Sequence, residues 1–123
     1  MEIQQKTILI VDDDPDLCLI LKVCLQREYA VQVLHTLGEA NTWLTQQQAA
    51  VVVLLDNTLP DGYGVNFLEE ILKLKSGIKV ILMTADINPD LRQKALDNGA
   101  RYFLPKPFNV AEIQRLIPLL LAS

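Results

Sequence analysis

The chain has 123 residues, half of them apolar, enough for one domain with a single core. Its formal charge of -4 leaves no basic stripe to neutralise a run of phosphates, which argues against direct nucleic-acid binding. The longest apolar runs, Ala49 to Leu55 and Leu116 to Ala122, fall far short of the roughly 20 residues a bilayer crossing needs. The polar lead Met1 to Lys6 holds no signal-peptide core, so the expectation is one cytoplasmic domain over 1–123 with no membrane contact.

In chain order, Thr7 to Val11 is a β-branched, apolar run that stops at Asp12-Asp13-Asp14-Pro15, where charge and proline end a strand and open a helix. That helix spans Asp16 to Arg27, with Leu17, Ile20, Leu21, Cys24 and Leu25 at helical spacing. Ala30 to Leu34 alternates as a strand, and Gly38 to Gln48 resumes a helical pattern around Ala40, Trp43 and Leu44. Ala50 to Leu55 is apolar on both faces, as a central parallel strand must be, and runs into Asp56. A loop from Asn57 to Gly64 precedes a helix carrying Val65, Leu68, Ile71 and Leu72, followed by a strand from Lys79 to Met83 that meets Thr84. The last cycle has a helix over Asp90 to Asn98 stopped by Gly99, a strand Arg101 to Leu104, the turn Pro105-Lys106-Pro107, and a helix from Asn109 to about Leu121.

Five strands alternating with five helices predict an α/β fold, (βα)5. The architecture is a flavodoxin-like, doubly wound five-stranded parallel sheet in three α/β/α layers. Cys18 and Cys24 lie six residues apart on one helix, about 120° around its axis, and read as separate reduced thiols. The lone His35 has no evident partner and reads as structural or surface.

In an open parallel sheet the functional crevice lies at the carboxyl ends of the strands, near the switch in strand order. Those ends hold Asp12 and Asp13, then Asp56, Thr84 and Lys106. Singly, each has an ordinary reading: an aspartate before a helix caps it, and a lysine in a turn is solvated. Together, three carboxylates repel unless a cation joins them, and hard oxygen donors suit Mg²⁺ or Mn²⁺. A carboxylate can also attack phosphorus to form an acyl phosphate if the charge on the transferred oxygens is neutralised, which Lys106, Thr84 and a metal can do.

With these residues in view, the sequence resembles a response regulator receiver domain of the chemotaxis-regulator kind along nearly its whole length. The matching stretches are Ile8 to Asp14, Leu54-Leu55-Asp56 with Leu59 to Gly64, Met83-Thr84-Ala85, Gly99-Ala100 and Lys106-Pro107-Phe108. The resemblance implies a two-component or phosphorelay switch in which a histidine kinase or phosphotransfer protein phosphorylates Asp56. Asp12, Asp13, Asp56 and the Thr58 carbonyl would hold Mg²⁺, Lys106 and Thr84 would bond phosphoryl oxygens, and Thr84 would act with Phe103 as the switch. Thr58 and Asp86 occupy the positions that tune the phosphoryl lifetime.

The same resemblance implies a signalling protein rather than an enzyme for a separate substrate, although it catalyses its own aspartyl phosphorylation and dephosphorylation. A downstream protein or effector domain is the implied output, and a homodimer through the fourth helix, fifth strand and fifth helix is open to it.

Phe103 departs from the tyrosine common in the family and lacks its hydroxyl. A degenerate, phosphorylation-independent receiver is the alternative, opposed by the intact set Asp12, Asp13, Asp56, Thr84 and Lys106. An aspartyl-phosphate hydrolase would need a second acid where Thr58 stands, and a flavin phosphate would be repelled by Asp12-Asp13-Asp14. Leu116 and Leu119 are left over from the sheet-facing side of the last helix and mark a candidate partner surface.

Overall fold

The computed structural model describes residues 5–46 and 48–123, so the N-terminal end of the polar lead and Gln47, which the expected second helix crosses, lie outside the described residues. Five parallel strands, β1 (Thr7–Val11), β2 (Ala30–Leu34), β3 (Val52–Asp56), β4 (Lys79–Thr84) and β5 (Tyr102–Pro105), form one sheet in the order β2-β1-β3-β4-β5. Five helices connect and follow them: α1 (Pro15–Leu25), α2 (Leu37–Thr45), α3 (Gly64–Leu74), α4 (Pro89–Asp97) and α5 (Val110–Leu121). The fold is the expected α/β one.

Strand periodicity divides the core into two layers. Leu9, Val11, Val53, Leu55, Val80 and Leu82 pack with Leu44, Leu68, Ile71 and Phe103 on the side of α2, α3 and α4. Ile8, Ile10, Val52, Leu54, Ile81 and Met83 face Cys18, Leu21, Leu25, Ile113 and Ile117 on the side of α1 and α5. The central strand β3 is buried along its entire length, which explains its unbroken apolar run.

Local chemistry sets the helix ends. Asp14 caps α1 by accepting from the Asp16 and Leu17 N–H groups, with Pro15 at the first turn. Asn109 and Glu112 form a reciprocal capping box at the start of α5. That helix continues through Pro118 to Leu121, its expected end. Of its two surplus leucines only Leu119 is largely exposed, at 67%, while Leu116 packs partly into the core beneath it.

The segment read as a loop after Asp56 contains a two-residue hairpin, Thr58–Leu59 against Gly62–Tyr63. Gly62 turns it with a φ of 151°, open to glycine alone. No helix among the described residues is long and apolar enough to cross a membrane.

Candidate functional site

Strand order reverses between β1 and β3, so a crevice opens beyond their carboxyl ends. β1 delivers Asp12 and Asp13 to it, β3 delivers Asp56, and the turn after β5 delivers Lys106. One carboxylate oxygen each from Asp12, Asp13 and Asp56 lies within 4.8 Å of the others. The Lys106 ammonium sits among them, 2.8 Å from Asp12 Oδ2 and 3.2 Å from Asp56 Oδ1. Asp12 is fully buried and Asp56 nearly so, whereas Asp13 is exposed at the rim.

The donor set is all carboxylate oxygen with one exposed member, which fits a hard divalent cation able to keep part of its water shell. Thr84 ends β4 with its side chain buried and its hydroxyl accepting from the Asp86 N–H at 3.0 Å. Asp86 is itself occupied, accepting from the Asn88 N–H at 3.0 Å in the turn leading to α4. Phe103 is packed inward and its neighbour Tyr102 faces solvent. Thr58 is exposed in the hairpin.

The sequence matches the response regulator receiver domain family over residues 8–118. The chain belongs to that family. The receiver domain is 33% identical to the transcriptional regulatory protein KdpE of Staphylococcus aureus over 113 residues, which cover 92% of this chain and 48% of that protein. A receiver domain protein from Methanospirillum hungatei superposes with a TM-score of 0.91 at 32% identity, covering 97% of this chain and 95% of the other. The beryllofluoride-activated NtrC4 receiver domain, solved as a dimer, superposes at 0.87 with 33% identity over 93% and 94% of the two chains. The chain spans between 24% and 48% of the length of the curated regulators it matches first.

Electrostatics in the receiver site follow from burial and charge crowding. Burial, then the Asp12 charge, push Asp56 above the ordinary carboxylate range, and Lys106 pulls it partly back. Burial works against the Lys106 ammonium too, but its bond to Asp12 and the charges of Asp12 and Asp56 outweigh that and hold its pKa above the usual lysine value.

Several supporting groups were not given these roles from the sequence. The buried Asn57 side chain accepts from the Val65 N–H at 2.9 Å and ties the end of β3 to α3. The Asp61 carboxylate accepts from the Leu37 and Gly38 N–H groups, both at 2.9 Å, so the loop after β3 caps α2. These hydrogen bonds hold Asp61 below the ordinary carboxylate value. The Cys18 thiol is pushed up to about 11 by burial and then by Asp12, and stays protonated to donate to the Asp12 carbonyl. His35 was expected to lack a partner, yet its Nδ1 lies 2.9 Å from that same carbonyl oxygen. Both donors bond backbone oxygen, an acceptor present at every residue and therefore invisible in residue identity.

Proposed function

We propose that Asp56 accepts the phosphoryl group and that the whole of 1–123 acts as one phosphorylation-driven switch. The observation that carries this reading is the Lys106 ammonium seated between the Asp12 and Asp56 carboxylates at the strand ends. An Asp56 oxygen attacks the phosphorus of a phosphohistidine on a histidine kinase or phosphotransfer protein. The new P–O bond forms as the donor's P–N bond breaks.

Lys106 keeps Asp56 ionised against its burial and then follows the negative charge onto the phosphoryl oxygens. Asp12, Asp13, Asp56 and the Thr58 carbonyl hold Mg²⁺, or Mn²⁺, which when bound neutralises further charge on the transferred group. Thr84 turns from the Asp86 N–H to a phosphoryl oxygen, and the inward-packed Phe103 adjusts with it.

The readout is then the face of α4, β5 and α5, offered to a downstream protein or effector domain. We assign a homodimer to the same face; that a receiver domain can dimerise is supported by the activated NtrC4 neighbour, which was solved as a dimer. Thr58 and Asp86, beside the acceptor, set how long the phosphoryl group survives. The net charge of -4 supports a readout through protein rather than direct contact with nucleic acid or an anionic membrane surface, and we place the domain in the cytoplasm, where two-component switches act.

Intact mass after incubation with acetyl phosphate and Mg²⁺ tests the reading. A gain of about 80 Da, lost in Asp56→Asn and in EDTA, is expected for an acyl phosphate. No adduct, together with no binding of beryllofluoride, would favour a phosphorylation-independent binding module instead.

A further inference from the structure

Every polar atom of Asp12 is engaged. Its N–H donates to the Leu34 carbonyl at 3.0 Å, and its carboxylate accepts from the Asp14 N–H at 2.9 Å and from Lys106 at 2.8 Å. Its backbone carbonyl accepts from two side chains, Cys18 Sγ in α1 at 3.2 Å and His35 Nδ1, just past β2, at 2.9 Å. A carbonyl oxygen only accepts, so the imidazole proton on Nδ1 points at it.

In a regular parallel ladder the rung after Asp12 N–H to Leu34 would bring the Thr36 N–H to this oxygen. The chain instead turns at Thr36, whose side chain caps α2. The His35 ring takes the place of that missing rung.

The carbonyl belongs to the peptide unit joining Asp12 to Asp13. Because that unit is planar, holding its oxygen from two directions fixes the plane and with it the positions of the two Cα atoms from which the Asp12 and Asp13 side chains spring. Asp12 has other anchors. Among the described residues the exposed Asp13 carboxylate has no hydrogen bond or ion pair of its own, yet it lies in the acidic cluster.

We propose that His35 is a positioning residue: its Nδ1–H bond to the Asp12 carbonyl, set with that of Cys18, orients the Asp12–Asp13 peptide and aims the Asp13 carboxylate at the cation site. The inference rests on the assignment of these acids to Mg²⁺ made above. Supporting groups around metal ligands tune affinity through such orientation, and here the effect passes through the backbone of the ligand pair.

Three variants separate the donor from the bulk. His35→Ala removes both, His35→Leu keeps bulk without a donor, and His35→Asn keeps a donor the same number of bonds from the backbone as Nδ1. The ¹³C shift of the Asp12 carbonyl in metal-free protein and the Mg²⁺ dissociation constant by calorimetry are the readouts, with thermal unfolding to confirm that each variant folds. His35→Ala and His35→Leu are expected to move the Asp12 carbonyl signal and weaken Mg²⁺ binding about 3- to 10-fold. His35→Asn is expected to restore the signal and bring the affinity to within about twofold of wild type. Wild-type affinity in His35→Ala and His35→Leu, or equal weakening in all three variants, overturns the role. A wild-type chain that bound no Mg²⁺ would instead bring down the functional reading and this inference with it.

Discussion

Replacing Asp56 with asparagine removes one of three negative charges gathered around Lys106 while leaving an oxygen for it to bond. Because burial and the Asp12 charge raise the Asp56 pKa, ionising this group weakens the fold. Stability therefore falls as pH rises from the unfolded value near 3.8 through the higher folded value. Asp56→Asn is expected to flatten that slope and raise the neutral-pH stability of the metal-free chain by about 1 kcal/mol, as measured by urea unfolding. Lys106 has the complementary window: its raised pKa gives stability that is complete below about 10.5 and is lost as pH climbs through the folded value. Both proteins should lose stability there, and a variant no more stable than wild type at neutral pH would contradict the like-charge account. At this scale the charged members of the site were legible because carboxylates and a lysine at apolar strand ends are conspicuous. His35 and Cys18 were not, since both donate to a backbone carbonyl, an acceptor that residue identity does not mark.

Gly64 opens α3 where the helix presses against the end of β3. A methyl group added there would overlap the Asp56 carbonyl oxygen and sit 3.0 Å from Leu55 Cγ and 3.3 Å from the Asn57 Cα, and backbone cannot yield as a side-chain tip can. Gly64→Ala is expected to destabilise the fold by about 2–3 kcal/mol and to slow phosphorylation by displacing Asp56, checked by chemical unfolding and adduct formation together. An alanine variant of wild-type stability would show that α3 can shift away. The strands and helices themselves were readable, because two-sided apolar runs and helical spacing survive in the linear sequence. The first two strands have the expected bounds, whereas other ends moved by a residue or more. β3 begins at Val52 rather than Ala50 and includes Asp56, and α2 ends at Thr45, short of the expected Gln48. The Thr58–Tyr63 hairpin was hidden because two-residue strands have no periodicity.

Across the whole molecule the acids are brought together by the order of the strands, so ligand binding at the site acts on the entire domain. A cation held only by the folded arrangement of Asp12, Asp13 and Asp56 stabilises by mass action, about 2.7 kcal/mol at one hundred times its dissociation constant. Mg²⁺ is expected to shift the unfolding transition equally when followed by emission of Trp43 on α2 and by far-ultraviolet circular dichroism, and Asp13→Asn should abolish most of the shift. Transitions that moved apart would mean that the site melts separately from the sheet. The strand sequence made this architecture legible as a class, while the pairing that seats one lysine between two carboxylates needed the assembled sheet. That pairing joins Lys106 to Asp12 across 94 positions of the chain. During synthesis the acceptor leaves the ribosome some fifty residues ahead of its counter-cation (Asp56 to Lys106). Copies cut short of Lys106 thus carry an aspartate with no ammonium beside it, and the pocket gains its balancing charge only when the last strand has joined the sheet.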